Sequence, residues 1–151
     1  FNVVAPYFIA GLAGVYSGLG EHMLEESIAH AKERKYTSGT SLAEIETVQI
    51  HLAKMYNLVN SSVCAAKEAT RSAAAGEEDA LAKILSARII ACEMVIEAGR
   101  LGMRVGGGKA YNKVGCMERL LRDAYAGQIM APSADVLTVW LGKAITGLPL
   151  V

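Results

Sequence analysis

Proline is scarce in this chain, with three residues in 151 and none between Pro6 and Pro132. Proline cannot continue a helical hydrogen-bond ladder, so the long middle of the chain carries no such break. Net charge is equally absent. Fifteen basic residues balance fifteen acidic ones, which removes the electrostatic case for nucleic acid or an anionic membrane surface. Cysteine is limited to Cys64, Cys92 and Cys116, with no CxxC among them. All three lie in segments that read as helical, and they are expected to be reduced core thiols of a cytoplasmic protein. No GxSxG occurs, nor a Cys-His pair near a helix start, which speaks against hydrolase-style nucleophilic catalysis. The histidines are His22, His30 and His51, and none stands three residues after a glutamate. The two ExxH motifs of a di-iron bundle are therefore missing.

What is present is helical periodicity, with strand alternation almost lacking. A 151-residue chain that is 52% hydrophobic is a natural size for one compact domain with a real core, here residues 1–151. The pattern predicts a first helix from about Pro6 to Arg34, followed by the polar turn YTSGTS. Ser41 with Glu44 three residues later reads as a capping box opening a second helix. Along it Val48, Leu52, Met55, Val59 and Val63 form one stripe. After the break AAAGEED a third helix begins near Asp79, with Leu81, Leu85, Ile89, Cys92 and Ile96 facing inward. A fourth region splits into Cys116 to about Tyr125 and Ser133 or Asp135 to Thr146, with Gly127 and Pro132 marking the split. Long helices joined by short polar turns imply antiparallel neighbours, hence an all-α, up-and-down four-helix bundle.

The first twenty residues carry no charge and include the small-residue series Gly11, Gly14 and Gly18, so a membrane span is a question to answer. Asn2, Pro6, two tyrosines and the lack of basic flanks argue against it. The apolar face also runs on into the acidic half with Glu21, Glu25 and Glu26. A bundle helix buried at one end and wet at the other is expected, with no membrane partner. In that wet half His22, Glu26 and His30 share a face at i, i+4, i+8. A single metal is geometrically possible there, but a solvated face of Glu-His pairs is the expectation.

The most informative stretch is Val105 to Ser133, VGGGKAYNKVGCMERLLRDAYAGQIMAPS. A glycine run at a helix end admits turns with positive φ and lets backbone amides approach a ligand, which suits a phosphate. Tyr111, Glu118-Arg119, Arg122-Asp123 and Gln128 follow at fixed distances. The segment resembles the close of the acyl-CoA dehydrogenase family's C-terminal helical domain: GG-x-G-aromatic, then E-[RK]-x-x-R-D-A, then Q-I-x-E-G-T. Glu33-Arg34 before a polar turn, and Gln49, Leu52, Ala53 and Met55 after it, are similar to that family's E-R-x-x-F-G turn and Q-x-x-L-A-x-M helix.

The resemblance implies a three-domain FAD flavoprotein acting on acyl-CoA or a related thioester and assembling as a homodimer or homotetramer. This chain, which starts at Phe1 rather than Met, would be its C-terminal domain. Carried over by position, Arg34 would meet the FAD pyrophosphate with Tyr36 and Thr37 beside it, although the family's FG is not kept. Arg104 stands where the family usually has Gln. Gly107 and Gly108 would let the backbone approach a neighbouring subunit's cofactor. Ser133 takes the place of a flavin-contacting Thr.

The family's usual catalytic base is the Glu of its last motif, and Ala131 stands there. A methyl group accepts no proton. Some members carry the Glu on the first helix instead, but the matching position is about Val4, and residues 1–20 hold no carboxylate. Asp135 is the nearest acid to the vacant place, though it reads equally as the first-turn acid of a helix. The expectation is therefore an FAD-binding and oligomerisation domain of an acyl-CoA dehydrogenase-like oxidoreductase without the usual base. A flavin-dependent monooxygenase of the same fold, which needs no carbon base, is the second reading. A helical assembly domain that binds no cofactor is the third.

Overall fold

The structure, a computed structural model, describes residues 4–150; Phe1, Asn2 and Val3, which open the uncharged segment, lie outside it. Helices α1 (Val4–Glu33), α2 (Glu46–Ala75) and α3 (Ala80–Gly106) are the three long elements, and α4 (Met117–Ile129) and α5 (Ala134–Thr146) share the fourth position. Two short 3-10 segments lie between them, at Leu42–Glu44 and Gly107–Tyr111. Among the described residues no strand forms, only one antiparallel bridge, Lys35 to Ser41. The connections are short, so consecutive long helices run antiparallel. The centre is α3, which packs against each of the other α-helices.

That central place explains why α3 buries more than one stripe. Leu85, Cys92 and Ile96 are inside as the periodicity predicts, while Leu81 and Ile89 are half-buried. Ile84, Ala87, Ala91, Val95, Ala98 and Leu101 are buried as well. On α2 the stripe holds, with Val48, Met55 and Val59 buried and Leu52 and Val63 half-buried. Helix α1 meets α2 through small residues: the Ser17 and Ser62 hydroxyls hydrogen-bond at 2.6 Å in the core. Each buried hydroxyl thus satisfies the other, which avoids the cost of an orphaned polar group.

Several expectations are corrected. The Ser41/Glu44 motif caps the 3-10 turn, with the Ser41 N–H donating to Glu44 Oε1 at 2.7 Å, and α2 starts afresh at Glu46. Helix α4 does not stop at Gly127 but runs to Ile129. Gly127 serves close approach instead: a Cβ there would lie 3.0 Å from Cys92 Cβ and from the Tyr16 ring. The first half of α1 is not buried all round. Ile9, Ala13 and Tyr16 face the core, while Val4, Tyr7 and Val15 are well exposed, and Gly11, Gly14 and Gly18 face open space. Of the cysteines only Cys92 is a core thiol; Cys64 is exposed and Cys116 half-buried. No described helix is long and apolar enough to cross a membrane.

The α2–α3 turn is fastened by an ion cluster. Arg71 spans Glu68 at 2.6 Å and Glu77 at 2.8 Å, and Lys83 reaches Glu77 at 2.8 Å and Asp79 at 3.0 Å. Hydrogen bonds from Arg71 first, then Lys83, hold the Glu68 and Glu77 carboxyls down at about 2. Carboxylates lowered on folding contribute stability that is whole above the ordinary value of 4.5. That contribution disappears as pH falls toward 2. Thermal unfolding from pH 5 to pH 2.5 should therefore show a shallower acid loss in Glu77→Gln than in the unaltered protein. Parallel curves would remove the cluster from the account.

Candidate functional site

The candidate residues gather at two stations. The first is one pole of the bundle, where α1 and α3 end and α2 begins. A small apolar cluster of Ala31, Leu42, Val48 and Val105 ties these ends together. The link from Arg34 to Ser41 is a tight loop: Leu42 N–H donates to the Arg34 carbonyl at 2.8 Å and Tyr36 N–H to the Thr40 carbonyl at 2.9 Å. Arg34, Tyr36 and Thr37 are held exposed on it. Arg104 is exposed in the last turn of α3. Gly107 and Gly108 follow, exposed, with no atom within 4 Å of where a Cβ would stand.

The corner is open on both flanks. On one side lies a hollow of about 450 Å³ lined by His30, Glu33, Gly106, Lys109 and Asn112 among others. On the other, Arg104, Tyr111 and Leu121 help line a cleft of about 550 Å³. Gly107 has φ 54° and ψ −141°, a conformation essentially reserved for glycine, so the corner's shape depends on that residue.

Two buried imidazole nitrogens record the local field. His30 Nε2 and His51 Nδ1 have no hydrogen-bond partner within the described protein. The His30 ring is kept below the ordinary imidazole range by burial first, then by the Lys109 and Arg34 cations. His51 is lowered by burial first, then by Arg104 and Lys54. Both rings therefore sense a positive pole whose cations come from α2, α3 and the loops after α1 and α3. Exposed guanidinium groups at this pole are donors that phosphate oxygens accept from, while the Gly107 N–H is already spent on the Met103 carbonyl.

The second station is the α4–α5 junction. Ala131 is exposed there, Ser133 is the residue before α5, and Asp135 sits exposed in its first turn. The Ser133 hydroxyl makes no capping hydrogen bond, so it is not committed to the helix end. The junction does not join the first station. Gly127, near the end of α4, packs on Cys92. From Cys92 to Arg104 is a climb of about 18 Å along α3.

Sequence reasoning missed what holds the junction. Arg88 of α3 is fully buried, its Nη2 donates to the Gly127 carbonyl at 2.7 Å, and its guanidinium stacks 4.7 Å from the Tyr16 ring centroid. The Tyr16 hydroxyl in turn donates to Met130 Sδ at 3.1 Å. The only signal in the sequence is an arginine inside the apolar run ILSARIIAC.

Comparison with known proteins bears on the fold and the family. Residues 10–146 match the family model described as acyl-CoA dehydrogenase, C-terminal domain. A probable acyl-CoA dehydrogenase of Mycobacterium tuberculosis (strain H37Rv) is 27% identical over 128 residues, covering 85% of this chain and 33% of that relative. The structure of butyryl-CoA dehydrogenase from Megasphaera elsdenii superposes with a TM-score of 0.84 at 20% identity, covering 91% of this chain and 36% of that one. The structure of PigA with FAD and proline superposes with a TM-score of 0.86 at 18% identity, over 93% and 36%. The chain thus spans about a third of the length of the relatives it matches. With the matching span running through α1 to α5, this all-α chain belongs to the acyl-CoA dehydrogenase family, as its C-terminal domain.

Proposed function

We propose that this domain carries the FAD-binding and oligomer-forming surface of a longer, three-domain acyl-CoA dehydrogenase-like oxidoreductase, acting on acyl-CoA or a related thioester. The observation that supports it most is the cationic glycine corner. Arg34 and Arg104 are exposed at this pole with the bare backbone of Gly107 and Gly108, and Tyr36 and Thr37 lie on the adjoining loop. They suit the pyrophosphate of FAD. Ser133 at the far station suits the flavin ring, by a hydroxyl free of capping. Because the stations lie about 18 Å apart along α3, one extended dinucleotide, or two cofactors shared between neighbouring subunits, accounts for both.

FAD supplies the hydride acceptor when bound; this chain's residues hold phosphate, orient the ring and exclude water. Ala131 in the base's place leaves proton removal at the substrate α-carbon without its usual carboxylate. That vacancy favours a second reading, flavin-dependent oxygenation on the same fold, for which no carbon base is needed. Full-length protein reduced by acyl-CoA supports the first reading. Oxidation of reduced flavin by oxygen without any response to acyl-CoA supports the second. Absence of flavin in the purified full-length protein would leave only an assembly role.

Homo-oligomers fit the apolar side chains left outside. Val4, Tyr7 and Val15 on α1 and Ile129, Val139 and Ile145 on α4 and α5 are each more than half exposed, and such surface calls for a partner.

A pair of glycine substitutions tests the corner. Gly107→Ala forces a side chain into a conformation that costs about 1–3 kcal/mol, so both stability and flavin retention should fall. Gly108→Ala meets no neighbour and has no positive φ. It should leave Tm unchanged while weakening flavin binding, because the new methyl stands where the phosphate approaches. Flavin content and Tm of the two full-length variants are the measurements, and full flavin retention in Gly108→Ala would contradict the assignment.

A further inference from the structure

We propose that His22, Glu26 and Cys116 form a binding site for zinc or a similar borderline-soft divalent cation, which clasps α1 to the start of α4. The reading does not rest on the flavin assignment, although the ligands share the hollow beside the glycine corner. A ligand atom from each of the three lies within 4.8 Å of the others. His22 and Glu26 stand one turn apart on α1, and a third ligand from the same helix, His30, would be the naive choice. The fold supplies Cys116 instead, ninety residues from Glu26. It is set just before α4, where Met117 is buried against Gly102.

Nitrogen, oxygen and sulfur donors together select zinc-like cations over calcium or magnesium, which prefer oxygen alone. Zinc bonds of about 2.0–2.3 Å place tetrahedral ligand atoms about 3.3–3.8 Å apart. The three groups therefore need to close by about 1 Å, and His22 and Glu26 are exposed and Cys116 half-buried, so they are free to do so. Glu26 and Cys116 also line the 450 Å³ hollow beside the glycine corner, which leaves room for water as the fourth ligand. The Cys116 thiol is the group that must lose its proton for a metal to bind. Binding forms the metal–sulfur bond, breaks the S–H bond and releases that proton to solvent. The consequence is a brace across the loop between α3 and α4, which carries the glycine corner.

Cobalt(II) added to the metal-free full-length protein tests the site through the thiolate-to-cobalt charge-transfer absorption in the near ultraviolet. The band should appear with one equivalent and be displaced by zinc. It should vanish in Cys116→Ser and persist in Cys64→Ser. His22→Ala and Glu26→Gln should weaken zinc at least about tenfold, since even outer-shell losses cost that much. Should any variant misfold, the unaltered protein still decides: one equivalent of zinc must slow iodoacetamide modification of Cys116 and leave that of Cys64 unchanged. No charge-transfer band, a band lost with Cys64, or equal protection of both thiols would overturn the proposal.

Discussion

Replacing Ala131 by Glu in the full-length protein is expected to speed acyl-CoA-dependent flavin bleaching by about 10²- to 10⁴-fold, the usual range for a positioned general base. The expectation rests on what the fold keeps and what it omits. Position 131 is exposed at the α4–α5 junction, so a longer side chain displaces no core atom and the fold should tolerate it. Ser133 two residues later keeps a hydroxyl free of capping duty. On the proposed reading, the proton acceptor is what position 131 lacks.

Ala131→Gln supplies the same length without basicity and should give no acceleration. The pair therefore separates base chemistry from a better-filled junction. Asp135→Asn completes the set. If Asp135 stands in for the lost base, the substitution should abolish whatever slow bleaching the unaltered protein shows; if Asp135 only favours the start of α5, the rate should not move. Anaerobic stopped-flow absorbance reads all three. A null result with Ala131→Glu would shift the balance to oxygen-dependent flavin chemistry.

Helix order and the bundle were legible because burial is written as a 3.6-residue period, and α2 kept its stripe from Val48 to Val63 almost unaltered. Helix ends were less so. Glycine at 127 signals either a stop or a close approach, and only the neighbour across the gap, Cys92, decides for the latter. The residues of the first station came from the family resemblance, and the structure adds that Arg34, Arg104 and Gly107–Gly108 each close or follow a helix at one pole. What spacing along one chain does not encode is contact between distant segments. The placing of Cys116 against Glu26, the exposure of Cys64 and one whole face of α1, and the burial of Arg88 all depend on where α4 lies across α1 and α3. Charge is the clearest example: an arginine in an apolar run reads as a side chain that reaches water, and Arg88 does not reach it.

Arg88→Ala is expected to cost about 3–5 kcal/mol, from the cavity it leaves and the Gly127 carbonyl it orphans. For a chain of this length that is roughly 6–20 °C in Tm. Arg88→Met should cost far less, within about 1.5 kcal/mol of the unaltered protein. The guanidinium gains one charged hydrogen bond and one cation–π contact, but its Nε and Nη1 have no partner within the described protein. The several kcal/mol of desolvation it carries are therefore only just offset. Methionine fills the space and removes that penalty at the expense of one unsatisfied carbonyl.

Equal losses in Arg88→Ala and Arg88→Met would show that the charge itself matters, because volume alone would then rescue nothing. The location gives the result its functional weight. Gly127 lies in the last turn of α4, where carbonyls lack helical partners and the dipole is negative. Arg88 there and Tyr16 on Met130 together fix the residues that lead into Ala131 and Ser133. In Arg88→Ala the last turn of α4 should fray, with faster amide exchange from Gly127 to Met130. On the proposed assignment, the flavin-ring contact at Ser133 should then weaken while the glycine corner, about 18 Å away along α3, is left unaltered.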